Sequence, residues 1–314
     1  MNENEQLTQT EEIQVEAETQ AEKEYPVKNL QKKWYKAILY AAGLIALAFG
    51  IQIIIGGAAG IFLLIQAVLE SRFSADVSPD EMTKILEDSG IINLVSAAAS
   101  FAMAVTFGLW YKLKHAKHCA MAQIKETMKS AFTPSKTALF ILTAVACYTI
   151  AVCTTLLIGY ALPDTLDQYL DMAELVFEDG PLTLIMSLLF APVAEECLVR
   201  GLIQRRLESY FPMIAVLLIE SVCFGILHGN LVQGLYVIPL AMVTGYLSYQ
   251  YRSVIPTILF HMLYNFMPRI INLIPEEITD RDGVWFAAAV ILTAGVIVMQ
   301  KVFSKKETQD AAKV

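Results

Sequence analysis

The chain has 314 residues, of which 56% are hydrophobic and 17% charged; its mean hydropathy is +0.51 and its net charge is −8. A soluble domain carries about a quarter charged residues, so this composition argues against a soluble core and for a membrane protein. The acidic balance also argues against nucleic acid as a partner. Five cysteines (Cys119, Cys147, Cys153, Cys197, Cys223) show no CxxC spacing and read as small buried hydrophobes rather than a disulfide frame or a zinc ribbon.

Residues 1–28 are rich in Glu, Gln and Thr and have almost no large apolar side chains. They are expected to be a disordered acidic tail. The first apolar stretch, Ala37 to Leu69, would span about 50 Å as a helix, against a hydrocarbon core of about 30 Å. A bend is expected at Gly56-Gly57 and Gly60. A polar loop, Ser71 to Gly90, leads to a second span at Ile91–Trp110. In the basic segment Lys112 to Lys136, Met121, Ile124 and Met128 share one helical face, which predicts a short interfacial helix. Further spans are expected at Ala138–Leu162, Pro181 to about Phe211, Met213–His228, Leu235–Tyr251, Val254–Ile274 and Val284–Phe303. Acidic loops are expected at Asp164–Gly180 and Pro275–Gly283, and a polar tail at Ser304–Val314.

Lysines and arginines alternate with acidic loops around these spans. Lys32, Lys33, Lys36, the lysines after Trp110, Arg205, Arg206, Arg252, Lys301, Lys305 and Lys306 all fall on one side if there are eight spans. The expected fold is therefore an all-α polytopic membrane helix bundle of about eight transmembrane helices with both termini cytoplasmic. Its parts are the tail 1–28, a two-span region 29–134 with the interfacial helix, a catalytic membrane domain 135–274, and a last span with a polar tail, 275–314.

Ionisable residues inside a bilayer are costly and by default functional. They cluster in three groups: Glu195-Glu196 with Arg200, Phe224 with His228, and His261 with Asn265. Glu196 and Arg200 stand at i,i+4 and can pair. Glu195 points about 100° away, which leaves one carboxylate compensated and the other free for general acid–base work. His261 and Asn265 share a face in the same way. A Glu and two His can ligate zinc, or a Glu with a His can deprotonate water; Asn265 or a His can donate to a developing oxyanion. These are the functions amide hydrolysis needs, with no Ser or Cys nucleophile. Each group taken alone is compatible with interhelical glue, and the same Glu, His and Arg could serve an ion- or proton-coupled transporter. Cys197 reads as packing. HExxH, GxSG and an intramembrane Asp pair are all missing from the sequence.

In this order, EExxxR, FxxxH and HxxxN resemble the CPBP intramembrane protease family, also called Abi or CAAX-type proteases; the resemblance covers roughly 135–274. It implies an all-helical fold with a site between spans that opens to the cytoplasmic side of the cell membrane. It also implies an endopeptidase acting on membrane-associated or lipid-modified substrates, such as prenylated CAAX proteins or bacteriocin precursors. Some members are linked to immunity, so a non-catalytic immunity or scaffold protein is a further alternative. By resemblance, Glu195 and His228 activate the water, and His261 and Asn265 stabilise the oxyanion, or His261 ligates a metal. Arg200 and Phe224 are supporting residues, and the candidate ligands for a zinc ion are Glu195, His228 and His261. The residues leave open whether a metal is bound.

Overall fold

The computed structural model describes residues 33–69, 90–115, 121–176 and 180–311. Among them the chain is helical and has no strand. The expected tail 1–28, most of the loop from Ser71 to Gly90 and part of the basic segment, with Cys119, lie outside the described residues.

Helix α1 (Tyr35–Leu69) is continuous through Gly56, Gly57 and Gly60. The backbone hydrogen bonds of a helix in lipid have no water to replace them, which favours an unbroken ladder even over glycines. α2 is Ile91–Lys114 and α3 is Met121–Ala131, the expected short helix after α2. α4 runs Pro134–Ala161, with Thr133 accepting a hydrogen bond from the Lys136 N–H and proline in the first turn.

The segment expected as an acidic loop after α4 is instead a helix, α5 (Pro163–Val176). Proline opens it, Asp164 sits in its first turn where the helix dipole favours an anion, and Leu166, Tyr169, Leu170 and Ala173 recur at helical spacing. The Tyr169 hydroxyl is 2.9 Å from that of Tyr236, tying α5 to the bundle.

α6 (Pro181–Leu207) holds two stretches of π-helix, Met186–Phe190 and Cys197–Gln204, around an α-helical turn at Ala191–Glu196. Then come α7 (Met213–Leu227), α8 (Leu231–Tyr236), α9 (Ile238–Tyr251), α10 (Ile255–Ile271), α11 (Glu276–Thr279) and α12 (Asp282–Ala311). The expected span Leu235–Tyr251 is divided at Val237, where proline 239 starts the second piece.

Among the described residues, five helices (α1, α2, α4, α6 and α12) are long and apolar enough to cross a membrane. α7, α9 and α10 have 15, 14 and 17 residues, which is about 21–26 Å and less than the hydrocarbon core. α7 packs on α9, α9 on α10, and α10 on α4, while α12 packs along α4; α7 also presents an exposed apolar face of Ile214, Leu218, Val222 and Ile226. The core is built from Phe107, Leu198, Leu202, Phe224, Leu240 and Phe260, all fully buried.

Two basic residues link helix ends. Lys114 at the end of α2 bonds the Tyr40 hydroxyl near the start of α1 at 3.0 Å. Arg252 after α9 pairs with Glu208 after α6 at 2.6 Å.

Candidate active site

The residues expected to carry chemistry meet where α6, α7, α9 and α10 pack together. On α6, Glu196, Arg200 and Gln204 recur every four residues, and all three are fully buried. Arg200 is their centre. Its Nη1 donates to Glu196 Oε1 (3.2 Å) and its Nη2 to the Ala241 carbonyl of α9 (2.9 Å). The guanidinium lies 4.6 Å over the Phe224 ring, a favourable arrangement for a desolvated cation. Gln204 repeats the pattern one turn later, donating to the Gly245 carbonyl at 3.0 Å. The expected Glu196–Arg200 pair is therefore present, and it also fastens α6 to α9.

Glu196 Oε1 takes a second contact from His261 Nδ1 at 2.9 Å. Arg200 is always charged, so the carboxylate beside it is the acceptor and His261 Nδ1 carries the proton. His261 Nε2 is thereby turned away from Glu196 and stands 3.8 Å from Glu195 Oε2. Glu195 points away from Arg200, as its helical position requires, and its side chain is 17% exposed. Its Oε2 is buried and has no hydrogen-bond partner. An orphaned carboxylate oxygen facing an imidazole nitrogen is a site for a bound water, proton or cation.

His228 caps the end of α7. Its Nδ1 lies 2.8 Å from the Phe224 carbonyl. A carbonyl can only accept, so Nδ1 holds the hydrogen and Nε2 is left open. The two histidines thus share one arrangement, with Nδ1 committed to a protein oxygen and Nε2 directed outward, the usual preparation of a histidine for ligation or proton transfer. Phe224 organises both, its ring centroid being 4.9 Å from that of His228 and 5.7 Å from that of His261. Among the described residues no three His, Cys, Asp or Glu side chains are gathered closely enough to form a metal-binding group.

Asn265 is placed one turn beyond His261, and its Nδ2 donates to the Ser187 carbonyl of α6 at 2.8 Å. The wide turn explains this. Ala191 N–H already serves the Met186 carbonyl, and residue 192, the next candidate donor, is proline and has no N–H. Without Asn265 the half-buried Ser187 carbonyl would have no donor from its own helix.

One residue of the cluster was not anticipated. Glu220 on α7 is fully buried, and its Oε2 is 3.3 Å from Arg200 Nε. The signal was available in the sequence: Glu220, Phe224 and His228 stand at i, i+4 and i+8, on one face of a helix. Room for its carboxylate comes from Gly245, where a Cβ would collide with Glu220 Oε1.

Residues 178–267 match the family model described as Type II CAAX prenyl endopeptidase Rce1-like. This is the CPBP/CAAX protease family that the three motifs resemble, and the matched segment contains every residue of the cluster. No curated protein and no solved structure matches the chain. The long apolar helices and this match together identify an integral membrane protein.

Proposed function

We propose, with residues 178–267 belonging to the CAAX-protease family, that the chain is an intramembrane endopeptidase hydrolysing peptide bonds of membrane-associated or lipid-modified substrates. The carrying observation is the relay from Arg200 through Glu196 to His261, which directs His261 Nε2 at the unpartnered Glu195 carboxylate.

In this reading Glu195 is the general base. A water held between Glu195 and the open Nε2 of His228 gives its proton to Glu195, and its oxygen attacks the scissile carbonyl carbon. The carbonyl π electrons move onto oxygen. That oxyanion is received by His261, protonated at Nε2, and by the second N–H of Asn265, the first being held by Ser187. As the tetrahedral intermediate collapses, the C–N bond breaks and Glu195 returns its proton to the leaving amine. Oxyanion donors are commonly worth about 10²–10³ in kcat, and a positioned general base about 10²–10⁴.

Glu195, His228 and His261 are of the right chemical type to hold a zinc ion, but as they stand they are not gathered closely enough to form a metal-binding group, so no step is routed through one. Such an ion would supply a Lewis acid that makes water more acidic.

Topologically, α7, α9 and α10 complete an eight-span bundle, with both termini and the basic end on the cytoplasmic side of the cell membrane and the site opening there. The gathering of Lys114, Arg252 and the start of α1 at one end supports this arrangement. His261, six residues into α10, lies about 9 Å along that helix from the basic end.

The decisive experiment compares membrane proteomes of cells carrying the wild type and Glu195→Ala at equal abundance. A membrane peptide should accumulate uncleaved in the variant. Indistinguishable proteomes would sink the proposal.

A further inference from the structure

Arg200 faces two buried carboxylates, and only Glu196 leads to His261. Glu220 approaches from another helix. It is fully buried and neither of its oxygens has a hydrogen-bond partner; its Oε2 faces the Arg200 Nε edge at 3.3 Å. The guanidinium is planar and its donors are fixed relative to one another. Three groups therefore set its orientation: Glu220 at Nε, Glu196 at Nη1 and the Ala241 carbonyl at Nη2. With Nε held, Nη1 is aimed at the same Glu196 oxygen that receives His261 Nδ1. A helical glycine costs about 1 kcal/mol relative to alanine. Gly245 is nevertheless placed where any Cβ would evict the Glu220 carboxylate. A buried carboxylate that accepts no hydrogen bond is an expensive way to fill space.

We infer that Glu220 is a positioning residue for the proposed hydrolysis: it orients Arg200, which fixes Glu196 and through it the His261 imidazole. It makes no contact with substrate. This rests on the hydrolase reading above. Loss of the outer partner of a metal-ligating histidine typically costs about 10–100-fold in affinity or activity, and Glu220 acts two steps further out than Glu196 along a comparable line.

The test is turnover of a fluorogenic farnesylated CAAX peptide by the full-length protein in proteoliposomes, with thermal unfolding of each variant in detergent. Glu220→Gln keeps the volume and loses the charge; Glu220→Asp keeps the charge and loses a methylene. A positioning role predicts that Glu220→Gln lowers kcat about 10-fold or more, leaves KM unchanged, and is less active than Glu220→Asp. A packing role predicts the reverse ranking, with activity following the unfolding midpoint. Glu220→Gln turning over at the wild-type rate, or outperforming Glu220→Asp, would overturn the inference with the hydrolase reading intact. A wild type that fails to cleave overturns the prenyl-peptide hydrolase reading, and the inference with it.

Discussion

The side-chain amide of Asn265 satisfies the backbone carbonyl of Ser187, whose own helix has no donor left to give it. One residue therefore joins α10 to the π-helical part of α6 and keeps one N–H for the site. Asn265→Ala strands a half-buried acceptor and should cost about 1 kcal/mol. The check is the thermal midpoint in detergent, which should fall even in the absence of substrate. An unchanged midpoint would mean that Ser187 is satisfied otherwise.

Arg200 compensates two fully buried glutamates. Removing one partner of a buried ion pair costs about 3–5 kcal/mol, because the remaining charge is stranded. Arg200→Leu strands both carboxylates and should reach at least the upper part of that range. Arg200→Lys restores charge but cannot address Glu196, Glu220 and the Ala241 carbonyl from three sides, so it should recover only part of the loss. Denaturant or thermal unfolding of the three proteins ranks them, and equal stability of Arg200→Lys and wild type would argue against a geometric role.

Glu195 and Glu196 are neighbours in sequence with different duties. Glu195→Gln should lower cleavage by about 10²-fold or more, as loss of a general base does, with the unfolding midpoint held. Glu196→Gln should lower cleavage and stability together, since Glu196 is the shared acceptor of Arg200 and His261. Matched unfolding and turnover curves separate the two cases. A stability loss confined to Glu195→Gln would invert the assignment.

Gly225 lies between Phe224 and His228, and a Cβ there would stand 2.6 Å from the Gly234 carbonyl of α8. Two backbones meet at this point, so no side chain can turn aside. Gly225→Ala should cost about 1–3 kcal/mol by overpacking and displace His228 along with the end of α7. Expression level and thermal midpoint report the first effect, and peptide turnover reports the second.

Helical periodicity in the sequence already separated Glu195 from Glu196 and paired Glu196 with Arg200, because residues four apart must share a face. The same rule applied to Glu220, Phe224 and His228 would have added Glu220; a lone glutamate in a long apolar run gave no motif to follow. Composition and the long apolar runs determined the helical membrane character.

Only the tertiary structure decided which nitrogen of each histidine is spoken for, since the Phe224 carbonyl and the Glu196 carboxylate reach Nδ1 through helix ends and helix packing. It likewise decided that Asn265 serves Ser187, because a wide turn followed by proline 192 leaves a carbonyl unpaired that an ordinary helix would have satisfied. Local spacing sets the face a residue occupies. What waits on that face depends on how α6, α7, α9 and α10 pack, and buried polar atoms must find partners across those interfaces because no water replaces them.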